Sequence, residues 1–116
     1  IGTLAKESSA EKKKFHEAWE TIQRSHAVAN GCYVASVNRT GKEKGTKFWG
    51  GSFVSGPFGE ILAKAGDSEE ILIAEVDPDH IEEQRRTWPF FRDRRTDTYR
   101  TLLRRFADDG GNNADE

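Results

Sequence analysis

Cys32 is the one thiol of the sequence, and a thiol does covalent work as a thiolate raised by a neighbouring base. Three histidines are candidates for that base. His26 lies on the segment preceding Cys32, nominally on the buried face of a helix. It is open to two readings, a packing residue or a polar site residue, and packing is the favoured one. Cys32 is open to two as well, a nucleophile or a small buried strand residue, and without a base at a telling spacing the second is preferred. His16 and His80 stand among charged residues on helical surfaces. Neither has a partner at a metal-ligand spacing, and one cysteine leaves too few soft ligands for a structural zinc site.

Two further patterns bear on chemistry. In Phe48-Trp49-Gly50-Gly51-Ser52 a glycine pair interrupts an extended run, which signals a bulge or a close backbone approach. The space so made serves either a ligand or the facing sheet and Trp49, with the second preferred. It is not a phosphate loop, because the G-x-x-x-x-G-K-S/T spacing is missing. Arginine crowds the region from Arg85 to Arg105, a composition able to bind phosphates. Glu82, Glu83, Asp93 and Asp97 are interleaved with it, and the pI is near 6.0, so ion pairs within or between subunits are the expectation rather than a nucleic-acid surface.

The elements that must position these residues follow from period and punctuation. Ser8 and Glu11 have the S-x-x-E spacing of a capping box. Phe15, Ala18, Trp19, Ile22, His26 and Ala29 then recur at helical steps up to a left-handed stop at Gly31, which gives a helix of about six turns. Cys32–Asn38 alternates as a strand. Residues 39–46 read as a loop and Lys47–Ser55 as one extended run. Ile61–Ala65 and Ile71–Val76 complete four strands, with short links that favour antiparallel neighbours. Asp77 before Pro78 opens a short helix to about Arg86. Tyr99, Leu102, Leu103 and Phe106 make a last helical stripe, and residues 107–116 read as a mobile polar tail.

The 116 residues carry 34% hydrophobic and 33% charged residues and a net charge of −2, which suits one small core under a polar surface and excludes a second one. Collagen, coiled-coil and membrane-spanning readings fall away, as does a secretory signal, and a lone cysteine suits a reducing compartment. The strands are apolar on both faces, so something outside the chain is expected to cover one of them. The sequence begins at Ile1 and has no methionine. The expectation is a processed product, a truncated form, or a piece of a longer polypeptide.

Residues 18–31, from Ala18 through Trp19, Gln23, Arg24 and His26 to Asn30 and Gly31, carry a resemblance. So do Phe48-Trp49-Gly50-Gly51-Ser52-Phe53-Val54, Gly56-Pro57-Phe58-Gly59-Glu60 and Trp88-Pro89-Phe90-Phe91-Arg92-Asp93-Arg94-Arg95. Together and in order, they resemble the C-terminal part of a carbon-nitrogen hydrolase of the nitrilase superfamily, nearest to the N-carbamoylputrescine amidase-like branch. The resemblance implies an α/β fold built of α+β layers: residues 1–106 as the C-terminal half of an αββα four-layer sandwich, mostly antiparallel, with helices on one face. It implies a cysteine-dependent amidase acting on a small linear amide or N-carbamoyl amine. The glutamate base, the oxyanion-stabilising lysine and the nucleophilic cysteine would all precede Ile1, so Cys32 is not the nucleophile and the chain alone is inactive.

No metal or organic cofactor is implied. The implied partners are the chain's own N-terminal half, further copies joined through the helical layers, and the small-molecule substrate. Nucleic acid and membrane are not among them, and the location is cytoplasmic. Ile1, Gly2 and Thr3 match the stretch just after a strand lining the family's pocket, which makes them candidates for the substrate-pocket rim. Putrescine-branch members often continue with Ser-Glu-Pro, where this chain has Thr3-Leu4-Ala5. The alternative to an enzyme part is a non-catalytic binding or assembly module that pairs with an intact family member.

Overall fold

The computed structural model describes residues 1–105. Ser8 Oγ accepts the Glu11 N–H at 3.2 Å while the Glu11 carboxylate accepts the Ser8 N–H at 2.8 Å. This reciprocal cap starts α1 (Ser9–Asn30) at the expected place. Gly31, at φ 54°, ends it. A side chain there would strike Gln84, whose Oε1 would lie 2.1 Å from an added Cβ. The second expected helix is α2 (Pro78–Thr87), capped by Asp77 through its contact with the Asp79 N–H.

The strands depart from the reading of one four-stranded sheet. Two three-stranded antiparallel sheets form instead. The first has the order β1 (Gly2–Leu4), β4 (Thr46–Trp49), β3 (Thr40–Glu43), and the second β2 (Val34–Ser36), β5 (Phe53–Ser55), β6 (Ile61–Lys64). The supposed loop 39–46 contains β3, which turns into β4 through Lys44 and Gly45, both at positive φ. A two-residue turn of this kind matches strand twist. β3 is an edge strand of Thr, Gly, Lys and Glu, so it lacked the apolar alternation that marks covered strands. The single run Lys47–Ser55 is in fact two strands of different sheets. Gly50 and Gly51, at φ 64° and 66°, carry the chain across, and their N–H groups bond Arg39 O and Gly66 O.

Ile71–Val76 forms no strand and pairs with none among the described residues, so the ladder expected there is absent. Ile71 and Ile73 are 90% and 89% exposed, because no neighbouring strand lies alongside them. The last helical stripe is a 3₁₀ segment, Thr96–Leu103. Phe106 and the expected tail 107–116 lie outside the described residues.

The buried face of α1 also differs from the expected one. Ala27 is fully buried, and with Phe53 it forms the fully buried apolar core among the described residues. Around it the helix seats on the second sheet through polar groups. Arg24 Nε donates to Gly59 O at 2.7 Å, and Lys64 Nζ donates to Glu20 at 2.5 Å. Phe15, Ile22 and His26 face outward instead. Nothing else in the described chain offers them an apolar surface, so His26 is not a packing residue within it.

Candidate functional site

Of the rim candidates, Ile1 lies just before β1, and Gly2 and Thr3 sit on it, set against β4 with Gly2 opposite Phe48 and Thr3 opposite Lys47. Only glycine fits at position 2, since an added Cβ would come within 2.5 Å of Lys47 O. Thr3 is buried and Ile1 is exposed. A side chain that sequence reasoning missed holds this strand in place. Asn38 Nδ2 donates to Ile1 O at 3.0 Å and to Gly50 O at 2.8 Å, and its Oδ1 accepts from Ile1 N at 2.6 Å. Ser52 Oγ in turn accepts the Asn38 N–H at 2.8 Å. The one hint in the sequence is that short polar residues stand where extended runs end, a pattern typical of local side-chain to backbone bonding.

Beyond Leu4 the chain turns, and Glu7 accepts the Leu4 N–H at 2.7 Å. A groove of about 470 Å³ opens between this turn, the start of α1 and the β3–β4 hairpin, bounded by Thr3 and by Lys12, Lys42, Lys44 and Lys47. Its one acidic wall residue, Glu43, is paired with Arg39.

The other candidates do not converge. Cys32 is partly buried rather than fully so, because it lies in the turn ahead of the first β2 ladder pair, its N–H bonded to Ala27 O at 3.1 Å. His16 lies against aromatic rings rather than on a charged surface. Its ring centroid is 5.3 Å from that of Trp49 and 6.2 Å from that of Trp19, and Trp19 meets Phe53 edge-on. An added Cβ on Gly51 would lie 3.0 Å from His16 Nε2. The glycine pair therefore serves both sheet crossing and this packing. His80 Nδ1 is 3.4 Å from Tyr33 Oη, and Tyr33 pins the start of α2 by accepting the Asp77 N–H. Among the described residues no group of three His, Cys, Asp or Glu side chains could hold a metal ion. No described helix is long and apolar enough to cross a membrane.

The arginine-rich segment makes short-range pairs. Arg95 Nε donates to Asp97 at 2.8 Å, a contact that holds the Asp97 carboxyl below its usual range and raises Arg95. Arg92 pairs with Asp93, and Arg86 with Glu82. Arg85 and Arg94 both lie over the Phe91 ring.

Comparison with known proteins agrees with this architecture. The carbon-nitrogen hydrolase family model matches residues 3–86. N-carbamoylputrescine amidase of Arabidopsis thaliana is 43% identical over 94 residues, covering 73% of this chain and 31% of that protein. Omega-amidase NIT2 of Homo sapiens is 40% identical over 88 residues, covering 75% of this chain and 32% of that protein. The crystal structure of a carbon-nitrogen hydrolase from Helicobacter pylori G27 superposes with a TM-score of 0.88 at 54% identity, over 91% of this chain and 39% of that one. The chain thus spans about a third of the length of the curated relatives it matches.

Proposed function

The chain belongs to the carbon-nitrogen hydrolase family, and on that premise we propose that it supplies the pocket rim and supporting layers of a cysteine-dependent amidase. The observation that carries this is the family-model match over residues 3–86, alongside relatives named as amidases. The reaction is R–CO–NH₂ + H₂O → R–COO⁻ + NH₄⁺, or its counterpart on an N-carbamoyl amine. A cysteine sulfur attacks the carbonyl carbon, a glutamate takes the thiol proton and passes it to the leaving nitrogen, and a lysine stabilises the oxyanion. Ammonia departs, and water, deprotonated by the same glutamate, cleaves the thioester.

These three groups belong to the part of the polypeptide before Ile1. The role of the present chain is positional: Asn38 and the β1–β4 ladder hold Ile1–Thr3 against the first sheet. Nucleophile, base and oxyanion donor act as a unit, so the 116 residues alone have no turnover. The outward stripe of α1, with Phe15 and Ile22, serves contact with another copy, and the enzyme works in the cytoplasm.

The test is ammonia release from N-carbamoylputrescine, N-carbamoyl-β-alanine and short aliphatic amides by the full-length protein and by this chain in parallel. Turnover by the first alone is expected, and Cys32→Ala in the full-length protein should leave kcat within about twofold, against the roughly thousandfold or greater loss typical of a nucleophile. Turnover by the isolated chain would overturn the division of labour. A full-length protein with no turnover on the panel would favour the assembly module.

A further inference from the structure

We propose that His16 and Trp49 together hold one hydrogen-bonding oxygen atom beside Gly51, a polar clasp that fixes α1 to the junction between the two sheets. The proposal goes beyond the amidase reading and does not depend on it.

Three elements meet at this point. His16 is on α1, Trp49 ends β4, and Gly51 lies in the crossing to β5. The His16 and Trp49 ring centroids are 5.3 Å apart with the rings tilted by 52°, and Trp19 lies 6.2 Å from each. Within this aromatic enclosure two polar atoms, His16 Nε2 and Trp49 Nε1, are buried with no partner among the described residues. Both rings border Gly51. A Cβ built there would lie 3.0 Å from His16 Nε2 and 3.7 Å from Trp49 Cδ1, the carbon bonded to the indole nitrogen. Gly51 stands at φ 66°, and its lack of a side chain is what lets the two rings approach.

Packing alone does not call for these nitrogens. A buried N–H that gives up water without gaining a partner is destabilising, and buried polar groups in folded proteins are nearly all paired. The indole Nε1 only donates, so a shared partner must accept from it, whereas the imidazole Nε2 donates in one tautomer and accepts in the other. An oxygen meets both conditions. A carbonyl or carboxylate oxygen accepts from two N–H groups, and a water accepts from the indole while it either accepts from the imidazole or donates to it. The ligand is therefore an oxygen acceptor with two sources, an ordered water or an oxygen from elsewhere in the full-length polypeptide.

The clasp matters because of what Gly51 is joined to. Its N–H bonds Gly66 O at 2.8 Å, and the Gly50 N–H bonds Arg39 O at 3.0 Å. Gly50 O accepts from Asn38, which also holds Ile1. Two successive glycines at positive φ resist rearrangement only weakly. An oxygen shared by α1 and β4 beside them adds a restraint that their own backbone lacks.

The experiment uses the full-length protein and a matched pair, His16→Gln and His16→Met. The two side chains have similar length and helix propensity, but glutamine offers an amide near the place of Nε2 and methionine only a thioether. Each is made alone and together with Trp49→Phe, and followed by chemical denaturation and by amide exchange at Gly51. With Trp49 present, the folding equilibrium constant of His16→Gln should exceed that of His16→Met by about tenfold, the worth of one net hydrogen bond, and Gly51 should exchange more slowly in it. In the Trp49→Phe background the gap should close to within about twofold. His16→Met as stable as His16→Gln, or more so, would mark a packing contact and overturn the proposal, as would a gap of equal size in both backgrounds.

The wild type supplies a check that needs no variant. The Trp49 indole proton, assigned by its loss in Trp49→Phe, should show in nuclear magnetic resonance either cross-relaxation with a long-lived water or a scalar coupling across the hydrogen bond to a carbonyl or carboxylate carbon. The first makes solvent the source and the second the polypeptide, and both support the site. Neither signal would overturn it.

Discussion

Residues 1–66 and residues 67–105 contain apolar side chains of the same kinds, yet they use them differently. In the first region Phe53 is 1% exposed, enclosed by Trp19 and the second sheet. In the second, Ile73 is 89% exposed, as is Leu103. Composition does not account for this. The first region has two sheets and a helix that can close on each other, whereas in the second α2 meets the first through Gln84, and the stretches that carry Ile73 and Leu103 have no opposing layer among the described residues. Burial is a property of pairs of elements, and a chain that holds one member of a pair displays the other's footprint.

Substitutions in the full-length protein probe this contrast. Phe53→Ala should be the most damaging, about 3–5 kcal/mol by chemical denaturation, since it empties a filled site between α1 and β5. Ile73→Ala tests the other side. If the remainder of the polypeptide lies over that segment, the loss is expected to be about 2 kcal/mol. A value within about 0.5 kcal/mol, as at an exposed site, would show that the face stays open.

The smallest effect belongs to the start of α1. Ser8→Ala should cost about 1 kcal/mol. The Ser8 backbone and hydroxyl hold the Glu11 carboxyl below its usual range. The cap's contribution is therefore present above the ordinary glutamate range and lost as pH falls through the lowered value. Denaturation of wild type and variant across the acid range should show the gap narrowing downward.

Much of this was legible beforehand where the signal is local. The Ser8–Glu11 cap, the Gly31 stop and the Asp77-Pro78 start of α2 each depend on neighbouring residues, and each was found where expected. What failed depended on distant partners. The apolar stripe through Phe15, Ile22 and His26 was read as the packed face of α1, but a helical period identifies a stripe without saying which layer covers it. β3 was missed because an edge strand in polar residues resembles a loop, and Ile71–Val76 has the alternation of a strand without a neighbour to pair with among the described residues. Of the candidate site, Ile1, Gly2 and Thr3 came from resemblance. The Asn38 bonds that hold them link residues far apart in sequence, which no local pattern reports.

Asn38 ties Ile1 on one side to Gly50 on the other, and Gly50 is the point where the chain leaves the first sheet for the second. The position of Ile1–Thr3, the proposed rim, is thus indexed to the junction between sheets rather than to the three-residue strand beside it. In engineering terms, the proposed pocket mouth and the sheet junction are one part. Gly50 accepts no side chain without a shift, since an added Cβ would lie 2.6 Å from Gly66 O, so a change there would move the sheet junction and the proposed rim together.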